Sequence, residues 1–237
     1  MQERYLGDIH DFFKINFLEF SSQFLKEIIG LNWYFVKPES ISKTEIKKND
    51  GEKRNYLYKS EYLDVNNNLI SEFRNYKNPR HRSIEIFTNN ARFKKIIKFY
   101  NEPILKEKRK EWFKRSISFF KDTKVIFLDP DNGISFNKSG KSALKYVSTD
   151  ELLEYYNLNK IIIFTQFQSF NKVYKKHLLD IISKLNQLGI KHKYPIIRNR
   201  SGPNTFFITL SKIKELKIYD CLNEYSKSFD KVDLINF

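Results

Sequence analysis

Lys124-Val125-Ile126-Phe127-Leu128-Asp129-Pro130-Asp131-Asn132-Gly133 is the stretch whose reading decides the fold. Its apolar run is too short for a helix and rich in β-branched and aromatic types, so it reads as a strand buried on both faces. Strands of that kind belong to mainly parallel sheets covered by helices on each side. In such open sheets ligands bind beyond the carboxyl ends of the strands. Asp129, Asp131 and Asn132 stand at that position. Pro130 fixes the backbone between the two acids and Gly133 permits a sharp turn, which lets both carboxylates and the amide face one pocket. The same residue types also suit a purely conformational turn.

Outward toward the C-terminus, 149–156 reads as a helix with Asp150 near its cap and 160–165 as a second buried strand. A helix over 171–188 stops at Gly189, and strands over 193–198 and 205–210 flank Ser201-Gly202-Pro203-Asn204. Toward the N-terminus, Ile9, Phe12, Phe13, Phe17, Phe20, Phe24 and Ile28 recur at helical spacing. They predict a helix from Asp8 or Asp11 that Gly30 ends. A short strand over 32–36, halted by Pro38, and a polar loop over 39–55 come next. Helices are expected over 61–76, 90–100 and 103–120, with a strand over 83–88. The fold expected is a single three-layer α/β/α domain, 1–237, with a mainly parallel central sheet and a largely helical and loop insertion over 39–122.

Forty-three Lys and Arg against 28 Asp and Glu leave a net charge of +15. That excess favours a polyanionic partner through long-range attraction and counterion release, and nucleic acid, DNA before RNA, is the partner expected. No apolar run approaches the roughly 20 residues that cross a bilayer, and no secretion signal is seen at the N-terminus. A single cysteine, Cys221, makes no internal disulfide and suits a reducing, cytoplasmic setting. The seven glycines never fall within two positions of one another, so no glycine-rich nucleotide loop is drawn and no cofactor is expected. No Cys pair and no closely spaced His pair suggests zinc, so no metal site is assigned. A Ser nucleophile elbow is also absent.

Other residues converge on the same sheet edge. Asn32, near the first strand, and Gln166, after the strand over 160–165, carry amides suited to a base edge. Asp8, Asp11 and Lys14 share one helical face by their three-residue spacing, which fits either the pocket or a helix-dipole role. Lys138, Lys141 and Lys145 beyond the acidic turn, with Arg198, Arg200 and Ser201 on a late connection, are candidates for phosphate contacts.

The stretch Val125 to Phe136 resembles the first motif of the uracil-DNA glycosylase superfamily, where a strand ends in Asp-Pro and a Ser-Phe pair follows. The resemblance implies that Asp129, with Asp131 or Asn132 as alternates, positions water for attack on the sugar of a flipped nucleotide. The Gln before and the Tyr-His after that superfamily's Asp-Pro are missing, and no later His-containing loop is found. Together with Gly7-Asp8-Ile9-His10-Asp11-Phe12-Phe13-Lys14, the turn is similar to bacterial anti-phage DNA glycosylases, which implies antiviral defence. A rival resemblance is to class I methyltransferases that modify adenine N6 in ribosomal RNA, where an Asp-Pro-Pro-Tyr-type turn follows the fourth strand and a Gly-containing hairpin comes late. Against it, Val36-Lys37-Pro38-Glu39 offers bulk where a glycine-rich loop cradles the methyl donor. The expected activity is hydrolysis of an N-glycosidic bond in DNA. Methyl transfer and a metal-dependent nuclease are the alternatives.

Overall fold

The structure, a computed structural model, describes residues 1–48, 53–136, 140–212 and 214–237. Its strands are β1 (Ile29–Asn32), β2 (Ile97–Tyr100), β3 (Val125–Leu128), β4 (Ile134–Ser135), β5 (Val147–Ser148), β6 (Ile161–Phe167), β7 (Ile196–Asn199), β8 (Thr205–Leu210) and β9 (Val232–Ile235). Seven of them form the central sheet in the order β2-β1-β3-β6-β8-β7-β9, and β4 pairs with β5 alone. The strands β2, β1, β3 and β6 run parallel, β8 opposes β6 and β7, and β9 opposes β7.

The sheet is buried on both faces, and the alternation of side chains assigns each residue to one of two cores. Val125, Phe127, Ile161, Ile163 and Phe207 join the first, with residues of α1 (Ile9–Leu25), α3 (Ser60–Arg74) and α9 (Leu216–Lys227). Ile126, Leu128, Ile162, Phe164 and Phe206 join the second, with α6 (Arg109–Phe119), α7 (Thr149–Asn157) and α8 (Tyr174–Gln187). This is the expected three-layer α/β/α arrangement. Each wholly buried Phe, Ile or Leu contributes about 1.5–3 kcal/mol by leaving water. Short helices α2 (Lys43–Ile46), α4 (Ile84–Thr88) and α5 (Ala91–Lys94) complete the chain. No helix among the described residues is long and apolar enough to cross a membrane.

Several local expectations need correction. The first helix ends at Leu25 with Lys26 in the left-handed region, and Gly30 lies inside β1. A Cβ on Gly30 would stand 2.8 Å from the ring of Phe120, the residue that caps the end of α6, so close packing of that ring against the sheet, rather than helix termination, is what requires glycine there. The strand expected over 32–36 lies earlier, over Ile29–Asn32, because Tyr34 turns to a φ of 45° as its N–H is captured by Asn32 Oδ1. The strand expected over 83–88 is helix α4, capped by Ser83. The helix expected over 90–100 is only α5, after which Ile97–Tyr100 pairs with β1. Pairing beside β1 overrides the helical spacing, and the stretch read as an insertion thereby supplies an edge strand of the sheet. As expected, Asp150 lies near the cap of α7, which is Ser148 in a reciprocal capping box with Glu151.

Candidate active site

The register sets Asn32, Leu128 and Phe164 side by side, so Trp33, Asp129 and Thr165 emerge together at the carboxyl edge of β1, β3 and β6. The N-terminus of α1 covers that edge. Asp8 is its N-cap and accepts from the His10 and Asp11 N–H groups, at 2.9 and 3.0 Å. Asp11 reaches back to accept from Gly7 N at 2.9 Å. One turn on, Lys14 points down into the sheet edge. Its ammonium donates to Asp11 Oδ1 and to Asp129 Oδ2, each at 2.5 Å, and lies 4.8 Å from the Trp33 ring centroid. Thr165 donates to Asp129 Oδ1 at 3.2 Å. A cavity of about 440 Å³ opens over this cluster.

Burial dominates the electrostatics. It raises Asp8, with the Asp11 charge adding to it and Lys14 opposing, to about 8. It also raises Asp129, against the attraction of Lys14. Lys14 is pushed above its ordinary range because Asp11 and Asp129 outweigh its desolvation. His10, buried near Lys53 and Lys14, falls to about 3 and stays neutral; its Nδ1 is 2.7 Å from Thr205 Oγ1. At neutral pH the cavity therefore holds a protonated acid, Asp8, beside the Asp129 side chain that Lys14 binds.

Asp8 yields a test through linkage. Its folded-state pKa lies above the unfolded value of about 4, so the native chain holds a proton that the unfolded chain releases. Stability is then expected to fall as pH rises from about 4 to 8 and to level off above. Asp8→Asn keeps a capping oxygen, and its urea midpoint should gain on that of the wild type through that window. Two curves that stay parallel from pH 4 to 9 would remove the buried proton from the account.

The remaining candidates divide. Asp131 lines the cavity but is engaged by the Met1 amino group at 2.9 Å and by Gln2 Nε2 at 2.7 Å, so it anchors the chain's first residues. Asn132 is exposed at the cavity wall and donates its N–H to Lys145 O at 2.9 Å. Asn32 is wholly buried away from the cavity lining and serves the Tyr34 turn. Gln166 accepts from Ile134 N at 3.0 Å and approaches Phe167 O and His177 Nε2, at 3.2 and 3.3 Å. It clamps the acidic turn and lies outside the cavity lining. Gly133, at φ 88°, leaves room for that clamp: a Cβ there would lie 2.2 Å from Gln166 Oε1. Gly133→Ala is expected to cost about 1–3 kcal/mol, read by urea unfolding. A cost below about 0.5 kcal/mol would show that the turn relaxes freely.

Of the residues assigned to phosphate, Lys138 and the Lys141 side chain lie outside the described residues. Lys145 lines the cavity and is paired with Glu45 at 2.5 Å. Burial alone would raise Glu45, yet hydrogen bonds from Lys145, Gln2 and Lys48 pull it down to about 2. Arg198 and Arg200 are away from the cavity lining and face Asp233 of β9, at 3.3 and 3.7 Å. Ser201 is buried in the β7–β8 connection and donates to Pro203 O at 2.8 Å. Residues missed in the sequence are His10, Thr165, Thr205 and Phe170; of these only His10, two residues after the capping Asp8, carried a local signal.

A methyl donor of the class I kind requires open backbone after β1. Trp33 and Tyr34 are wholly buried there; the indole lies against Lys14 and the Tyr34 hydroxyl donates to Glu151 at 3.3 Å. The residues present do not fit that donor. Among the described residues, no group of three or more His, Cys, Asp or Glu side chains is arranged to hold a metal ion. Set against protein-family models, curated proteins and solved structures, the chain matches none of them.

Proposed function

We propose that the chain is a hydrolase that cleaves the N-glycosidic bond of a nucleotide flipped from nucleic acid, DNA in the first instance, into the 440 Å³ cavity. The observation that carries this reading is the pairing of a proton-bearing acid, Asp8, with the Lys14-held Asp129 across one cavity. Two carboxyl groups that line one cavity with different partners, one capping a helix and one held by a lysine, are suited to act as acid and base in one reaction.

In the reaction, water attacks the anomeric carbon of the sugar as the bond to the base nitrogen breaks with its electron pair. Asp8 supplies the proton that neutralises the departing base, and Asp129 takes the proton released by the attacking water. Exchange with solvent then returns each group to its starting state. Lys14 fixes the position of the Asp129 carboxyl through its 2.5 Å contact. Lys53 on the cavity wall favours a phosphodiester at its mouth.

The test is to incubate the protein, without added cofactor or metal, with unmodified and phage-type modified DNA and with RNA. Free bases and abasic sites are read by mass spectrometry. Base release supports the reading. Intact substrates throughout, with tight binding of the same oligonucleotides, would sink hydrolysis and leave a binding module. The class I methyltransferase reading draws on β8, whose reversal beside β6 carries Pro203 of the late hairpin to the cavity wall. The filled space at Trp33 and Tyr34 weighs against it.

A further inference from the structure

The most exposed large apolar side chain among the described residues stands at the cavity. Phe170 is 89% exposed, and Val173 beside it is 71% exposed. Both lie on the connection from β6 to α8, and Phe170 lines the cavity while projecting into solvent.

The base of that connection is pinned, so the exposure is not that of a loose segment. At one end Gln168 N donates to Asn204 O at 3.0 Å and Asn204 Nδ2 donates back to Gln168 Oε1. At the other, the Tyr174 ring stacks on Phe206, with centroids 6.0 Å apart, and the Arg198 guanidinium covers it at 4.3 Å. A phenyl ring held out from anchored ends loses little freedom when something packs on it. The setting is cationic as well: Lys53 shares the cavity wall, and exposed Lys172, Lys175 and Lys176 surround the start of α8. Lys172 is paired with Asp180 at 2.5 Å. One ring and one valine make too small an apolar patch for a stable protein interface. A flat apolar ring among lysines fits a base whose flanking phosphates the lysines neutralise.

We infer that Phe170 is an aromatic wedge that stacks on a base of a bound polynucleotide, next to the nucleotide whose own base occupies the cavity. The inference rests on the nucleic-acid reading given above. It specifies a strand that is single or locally opened, since a paired and stacked duplex offers no free base face. Stacking is indifferent to base identity, so the wedge contributes affinity and registers the strand while leaving base selection to the cavity.

The experiment uses the full chain and oligonucleotides, DNA and RNA in separate arms, each carrying 2-aminopurine at successive positions. Affinity and emission are read for wild type, Phe170→Ala and Phe170→Trp. Phe170→Ala should weaken binding about tenfold and abolish the emission change at one position. Phe170→Trp should retain both. Wild-type affinity and emission kept by Phe170→Ala would overturn the wedge while leaving the nucleic-acid reading standing. A wild-type protein that binds neither polymer would overturn both. Because Phe170 is almost wholly in solvent, its loss leaves the fold unchanged, and circular dichroism checks that.

Discussion

Lys14→Met is expected to lower the free energy of unfolding by about 3–5 kcal/mol, the usual result of removing one partner from a buried ionic cluster. Lys14 is 3% exposed, and both its partners, Asp11 and Asp129, are buried with it. Methionine fills much the same volume and keeps contact with the Trp33 ring, so packing changes little. What changes is charge: two carboxylates set against one ammonium are left facing each other without it. Against a typical total of about 5–15 kcal/mol, the variant should unfold at much lower urea, with the same dependence on denaturant concentration. The loss should shrink at acidic pH, where the orphaned carboxyls take up protons, and shrink again in Lys14→Met combined with Asp129→Asn. A single variant within 1 kcal/mol of wild type at neutral pH would show that the cluster is hydrated rather than buried.

Asp129→Asn is expected to reduce base release by about 10²–10⁴-fold, the range of a general base, with oligonucleotide affinity preserved. The amide keeps the shape of the carboxylate and an oxygen for the Thr165 hydroxyl, now at 3.2 Å. It cannot accept a proton from water, and it withdraws half of the negative charge that holds Lys14. Single-turnover kinetics with excess protein separate these effects: the chemical step slows while the half-saturating concentration stays put. A variant that releases base within tenfold of wild type would remove Asp129 from the chemistry and turn attention to Asp8 and Asp11.

The three-layer order and the place of the candidate site were legible because they rest on short-range signals. β3, β6 and β8 are apolar runs bounded by polar turns, and Asp129 follows the first of them directly. The Asp8-Asp11-Lys14 spacing carried the helix face that meets Asp129. What escaped were decisions made by distant partners. Ile97–Tyr100 became a strand because β1 lies beside it, although its spacing continued a helical pattern. Arg198 and Arg200 read as phosphate ligands because Asp233, paired opposite Arg198 in β9, is far along the chain. The His10–Thr205 contact joins residues 195 apart in sequence. Gln166 was drawn toward substrate because nothing local announces that Ile134 N–H occupies its carboxamide oxygen.

The doubly buried sheet has a consequence for how the chain finds its alignment. Because Val125, Ile126, Phe127 and Leu128 are all apolar, sliding β3 by one position would trade one greasy face for another, and the two cores would hardly object. Such a slip would, however, bring Leu128 or Pro130 opposite Lys14 and strand its charge. The ionic cluster thus acts as an indexing pin for an otherwise ambiguous strand, so variants that disarm the site should also show slower or heterogeneous refolding.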